Sequence, residues 1–194
     1  MTPFDAIVLA GGESTRLGTD KTRLSVHGMP VLERVLAAVS DAEARLVVGP
    51  ARPISDDTGV RWLREEPPGS GPANGVACAA PHVSAEVAVV LAGDLPYIAE
   101  ATIRRMLDAV GDGPGTVLTD ASDRPQWLTA AVRTAVLRRQ LRTRASWDGA
   151  AMHTLLRPLD LTGVAAHGDE SHDIDRPEDI PSGHESPAVD RPGT

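Results

Sequence analysis

The 194-residue chain is expected to fold as a three-layer α/β/α sandwich around a mostly parallel sheet. Three observations predict it. Short apolar runs alternate with helical patterns, the order that builds parallel strands through crossover helices. Val87-Ala88-Val89-Val90-Leu91-Ala92 is apolar at every position, as a strand covered on both faces must be. Three unusual loops, 11–21, 65–72 and 93–97, each follow a strand pattern, and open α/β sheets bind ligands beyond the carboxyl ends of their strands.

Each element has its own signal. Phe4 to Ala10 is an apolar run ending in Gly11-Gly12, which reads as a buried strand feeding a loop. Pro30 suits the first turn of a helix that puts Leu32, Val35, Leu36 and Val39 on one face. Arg45 to Gly49 and Gly59 to Leu63 read as the next two strands. A Pro/Gly-rich loop then leads into a helix of small residues over 73–80, and 87–92 is the central strand. Ile103, Met106, Leu107 and Val110 carry the i, i+3, i+4, i+7 spacing of a helix. Gly115 to Thr119 is a strand, and the turn at 120–124 leads into a strand over 126–132 that runs antiparallel to its neighbours. Helices are expected over 133–143 and 148–157, and a last strand over 161–166. One domain therefore occupies residues 1–180, and 181–194, made of Ser, Gly, Pro and acids, is expected to be a disordered acidic tail.

Composition excludes several classes of function. Hydrophobic residues make up 41%, enough for a core, while no apolar run reaches the ~18 residues of a membrane span. The formal charge is −8, and the basic residues are scattered, which argues against a nucleic-acid surface. A single cysteine, Cys78, allows no internal disulfide, and the N-terminus has no leader pattern, so a cytoplasmic location and a monomer are expected. The six histidines lack metal-ligand spacing and read as surface residues. Neither Ser14 nor Cys78 has a partner base that would make it a nucleophile.

The stretch Leu9-Ala10-Gly11-Gly12-Glu13-Ser14-Thr15-Arg16-Leu17-Gly18-Thr19-Asp20-Lys21 is the most informative. It has neither the Walker spacing nor the dinucleotide fingerprint. Glycines after a strand nonetheless let backbone N–H groups approach phosphates, and Arg16 and Lys21 add positive charge. Lys21 is the only lysine among 19 basic residues, and a compact ammonium fits between phosphate oxygens where a planar guanidinium needs more room. The competing reading is a surface loop with two solvated cations. Asp94 ends the central strand, from which its carboxylate would enter the crevice and hold Mg²⁺ on nucleotide phosphates, unless it only makes a turn. Asp173 and Asp175 share one face of an extended segment; they serve as further oxygen ligands or acceptor contacts, or one of them caps a helix.

The first of these motifs resembles the signature of the nucleotidyltransferases that include the molybdenum cofactor guanylyltransferases. Three looser motifs follow in order: Glu65-Glu66-Pro67-Pro68-Gly69-Ser70-Gly71-Pro72-Ala73-Asn74-Gly75, Gly93-Asp94-Leu95-Pro96-Tyr97 and Asp173-Ile174-Asp175-Arg176-Pro177-Glu178-Asp179. The resemblance spans residues 4–180. It implies a Rossmann-like fold of the nucleotide-diphospho-sugar transferase type and transfer of GMP from GTP to molybdenum-bearing molybdopterin, with pyrophosphate released. Leu9, Ala10, Gly11, Gly12, Lys21, Glu65, Gly71 and Asp94 would bind the nucleotide. Arg16, Lys21 and Asp94 would be catalytic, and Asp94, Asp173 and Asp175 would hold Mg²⁺. Glu65 stands where the family has an Asp that contacts guanosine; its alternative is a solvated loop acid. The chain departs from the pattern at Gly49 (Asn in the family), at Ala73-Asn74-Gly75 (Leu-Ala-Gly) and at Asp173 and Asp175 (asparagines). Two rival functions remain open at this point. One is a related transferase using CTP or a sugar-phosphate acceptor, and the other is a non-catalytic nucleotide-binding regulator. Transient contact with other cofactor-biosynthesis proteins is a further expectation.

Overall fold

The computed structural model describes residues 2–11, 25–26 and 28–172. The strands are β1 (Phe4–Leu9), β2 (Ser25–Val26), β3 (Met29–Pro30), β4 (Arg45–Val48), β5 (Val60–Leu63), β6 (Val87–Ala92), β7 (Gly115–Thr119), β8 (Pro125–Arg133) and β9 (Thr162–Ala165). The helices are α1 (Val31–Ala38), α2 (Pro72–Ala79), α3 (Glu100–Ala109), α4 (Thr134–Leu141) and α5 (Met152–Leu156). Seven strands form one sheet in the order β5-β4-β1-β6-β8-β7-β9, and β2 pairs with β3 in a small hairpin. Within the large sheet every pairing is parallel except those of β8, which runs antiparallel to both β6 and β7.

Alternate residues of the strands feed two apolar layers, as the pleat requires. Ala6, Val8, Val89 and Leu91 face α1 and α3, where they meet Leu32, Val35, Leu36, Ile103 and Met106. Ile7, Ala88 and Val90 face the other side and pack with Val76 of α2, Leu137 of α4 and Leu155 of α5. Asp5 is fully buried in β1, and its Oδ2 accepts hydrogen bonds from the N–H groups of Ser84 and Ala85. That pairing ties the entry to β6 to the start of β1 and offsets the cost of burying a carboxyl group.

Three departures from the expected elements have local causes. Pro30 belongs to β3 and serves as N-cap, so the helix expected from Pro30 begins at Val31. The helix expected over 148–157 is confined to 152–156, because the preceding residues bond elsewhere: Gly149 N donates to Ser70 O (2.8 Å), and Ala150 O accepts from Ala73 N (3.3 Å). The ladder of β7 with β8 jumps from Val117–Ala130 to Leu118–Gln126. Residues 127–129 are therefore extruded from it, which leaves Trp127 half-buried against the second apolar layer and Leu128 36% exposed. Bulges of this kind re-aim side chains at a sheet end.

Candidate active site

β1, β4, β5 and β6 end at one rim of the sheet, and the direction of winding reverses between β1 and β6. The chain leaves β1 through α1 on one face and returns to β6 through α2 on the other, so a crevice opens between the two strand ends. Backbone bonds continue past the ladders there. Ala10 N donates to Val48 O (2.8 Å), Gly49 N to Leu63 O (2.9 Å) and Gly93 N to Leu9 O (2.9 Å). Four strand exits are thereby tied together.

The glycines allow this closeness. A Cβ at Gly49 would lie 2.7 Å from both C and O of Ala10 and 2.9 Å from Gly11 N, so no side chain fits without moving the turn. This gives a physical account of Gly49 where the family pattern has Asn. At Gly93 a Cβ would come within 3.1 Å of Leu9 O, which explains why a glycine precedes Asp94. Asp94 itself is half-buried one residue beyond that contact, at the reversal point.

Glu65 lies two residues past the end of β5 and is only 5% exposed, so it is no solvated loop acid. Its Oε1 accepts the Gly69 N–H (3.0 Å) and would lie 3.2 Å from a Cβ at Gly11. Its Oε2 is buried and has no hydrogen-bond partner among the described residues. An acceptor held out of water without a donor costs about 1–3 kcal/mol. An arriving N–H group would recover that cost. Gly71, with φ +90°, is the N-cap of α2, and Pro72 follows at the first helical position.

The structure thus brings Leu9, Ala10, Gly11, Glu65, Gly71 and Asp94 to one rim. Gly12, Arg16, Lys21, Asp173 and Asp175 lie outside the described residues. Among the described residues no group of three or more His, Cys, Asp or Glu could hold a metal ion, so Asp94 is no part of an all-protein cage there. Asp94 could supply one carboxylate oxygen to a hard cation such as Mg²⁺. His82, His153, His167 and His172 are exposed, in line with the surface reading. Burial, with Glu65 adding to it, pushes the Cys78 thiol above its ordinary value, which disfavours a thiolate nucleophile.

Sequence reasoning missed three residues at this rim. Arg52 Nη2 donates to Ala10 O (3.2 Å), and Asn74 Nδ2 donates to Ser70 Oγ (2.7 Å) and to Glu66 O (3.2 Å). Ser70, 5% exposed, joins the site through that contact. Only the departure from the family at Asn74 marked any of them, because side-chain bonds to backbone leave no periodic trace. At the same end of the sheet, beyond β6, Arg124 Nε and Gln126 Nε2 both donate to Asp120 Oδ2 (3.1 and 3.2 Å), which organises the turn between β7 and β8.

Comparison with known proteins agrees with this architecture. Residues 6–162 match the family model of the MobA-like NTP transferase domain. The chain is 28% identical over 194 residues to a probable molybdenum cofactor guanylyltransferase of Deinococcus radiodurans, covering 90% of this chain and 100% of that one. It is 28% identical over 178 residues to the probable molybdenum cofactor guanylyltransferase of Methanothermobacter thermautotrophicus, covering 86% and 89%. The solved molybdopterin-guanine dinucleotide biosynthesis protein A of Archaeoglobus fulgidus has the same fold, with a TM-score of 0.68 at 20% identity over 91% of this chain and 94% of that one. A mostly parallel sheet with its reversal point at a glycine turn, an acid just past the end of the central strand and a match over most of its length together make this chain a nucleotidyltransferase of the MobA-like NTP transferase family.

Proposed function

We propose that the protein transfers GMP from GTP to the terminal phosphate of molybdenum-bearing molybdopterin. A phosphate oxygen of the acceptor attacks the α-phosphorus in line, the bond from that phosphorus to the β-phosphate oxygen breaks, and pyrophosphate leaves. The observation that carries the reading is the juxtaposition at the rim: Oε1 of Glu65 against the Gly11 turn, an unpaired Oε2 beside it, and Asp94 across the reversal point. Guanine carries adjacent N1–H and 2-amino donors, and Glu65 Oε2 is an acceptor of the kind they need.

Positioning and charge neutralisation do the work in this chemistry, with no covalent enzyme intermediate. Backbone N–H groups at Gly11 and Gly12 hold phosphate oxygens, which glycine permits because no Cβ blocks their approach. Arg16 and Lys21 stabilise charge on the α-phosphate and on departing pyrophosphate. Asp94, assisted by Asp173 or Asp175, would hold Mg²⁺, which would supply neutralisation of phosphate charge. Gly71 starts the helix that closes the base side of the pocket. The enzyme acts in the cytoplasm, in keeping with its single cysteine.

The test is pyrophosphate release by the full chain with Mg²⁺ and molybdopterin, over a panel of nucleoside triphosphates. GTP should support turnover at least tenfold better than CTP or ATP. A preference for CTP, or turnover only with a sugar phosphate as acceptor, would replace this reading by the related transferase. GTP binding without pyrophosphate release for any acceptor would leave a nucleotide-binding regulator.

A further inference from the structure

We infer that Asn74 is a positioning residue that determines base specificity: from α2 it fastens the 66–70 loop and so holds Glu65 where guanine is read. The inference rests on the guanine reading above and adds a residue that the family pattern does not supply, since the family has alanine at this place.

The loop is held in two ways. Inside it, Gly69 N donates to Glu65 Oε1 (3.0 Å) and Ser70 N to Pro67 O (3.3 Å). From outside, Asn74 Nδ2 reaches both ends, donating to Glu66 O (3.2 Å) and to Ser70 Oγ (2.7 Å). A backbone carbonyl only accepts, so the Glu66 contact fixes the amide with its NH₂ toward the loop. Ser70 is in turn tied through its carbonyl to Gly149 N (2.8 Å).

The anchor is rigid. Asn74 lies in the first turn of α2, and that helix packs so closely on β1 that a Cβ at the neighbouring Gly75 would come 3.0 Å from Leu9 Cδ2. The chain of contacts therefore runs from β1 to α2, through Asn74 to both ends of the loop, and through Gly69 to Glu65. Hydrogen bonds weaken steeply once direction and distance are lost. A loop released from Asn74 keeps its covalent path but no longer fixes the Gly69 N–H, and with it the aim of the Glu65 carboxyl group. The backbone at the β1 and β6 exits is held instead by Val48 O and Leu9 O, which accept from Ala10 N and Gly93 N.

Two substitutions separate this role from simple folding. Asn74→Ala installs the family residue, and Asn74→Asp keeps the shape while setting a carboxylate against the Glu66 carbonyl. Dissociation constants for GTP and ATP are measured by calorimetry with Mg²⁺, on the full chain and without acceptor. The native protein should prefer GTP. Both variants should weaken GTP about tenfold, the scale of one charge-assisted hydrogen bond, and leave ATP within about twofold. Unchanged GTP binding, or equal loss of GTP and ATP, would overturn the inference while leaving the guanine reading in place. A native protein that binds GTP and ATP alike would overturn the guanine reading and this inference with it.

Discussion

At the scale of single residues, the chemistry divides between charge and space. Asp94 lies at the reversal point, where the proposed reading gives it the metal, so Asp94→Asn should lower turnover by roughly 10²–10³, the scale for one lost electrostatic stabiliser. Lys21→Ala should do the same by removing charge from the transferred phosphate. In both cases steady-state rates are compared with the thermal midpoint, which should stay at the native value. A normal rate for purified Asp94→Asn would sink the metal assignment. Gly49→Ala tests space instead. Its Cβ would lie 2.7 Å from the Ala10 carbonyl and must push the Gly11 turn away, so nucleotide affinity should fall at least tenfold, as calorimetry with GTP would read. Some of this was legible in the sequence. Gly11 and Asp94 are marked by the strands that precede them, because an apolar run tells where a sheet ends. Glu65 was legible as a position only: the sequence left a base contact and a solvated acid open, and burial to 5% exposure removed the second. Arg52 acts on Ala10 from 42 residues away through a backbone carbonyl, and no spacing rule encodes such a contact.

At the scale of elements, boundaries moved where one segment found a partner in another. Gly149 and Ala150 bond to Ser70 and Ala73 instead of extending α5, and 127–129 leave the β7–β8 ladder. After β9, Glu170 joins the last described turn to α3. Its carboxylate accepts from Arg105 Nη2 (2.6 Å), Thr102 Oγ1 (2.6 Å) and His167 N (2.8 Å). Burial acts to raise its pKa, but these hydrogen bonds and the Arg105 charge outweigh it and hold the group at about 2, below the ordinary 4.5. A folded-state pKa below the unfolded one stabilises the fold above the unfolded value, and that stability is lost as pH falls from about 4.5 toward about 2. Glu170→Gln should therefore cost on the order of 1–3 kcal/mol at pH 7, with the gap to the native protein shrinking at pH 3. Urea unfolding at the two pH values measures it. An equal gap at both would show that the ion pair contributes nothing. No sequence pattern marks Glu170, since a turn gives no amphipathic period.

At the scale of the whole molecule, the fold stands on two apolar layers, to which the described residues up to Ala166 contribute. The reading of 181–194 as an acidic tail concerns residues outside those described and remains a proposal. A chain ending at residue 180 should keep its thermal midpoint within about 2 °C and its turnover within twofold, because an uncored segment adds little to stability. Scanning calorimetry and the pyrophosphate assay would decide, and a drop of several degrees would mean the tail packs on the domain. Among the described residues no helix is long and apolar enough to cross a membrane. The sequence by itself determined the layer architecture, the antiparallel β8 and the rim where the strands end, because apolar period and strand-end glycines are local properties of a chain. Only the tertiary structure decided that β1 and β6 flank the reversal, that Glu65 is turned inward beneath Gly11, and that Asn74 fastens the loop between them. Those facts depend on which distant backbone groups meet, and hydrogen bonds to the main chain can be made by many residue types at any separation.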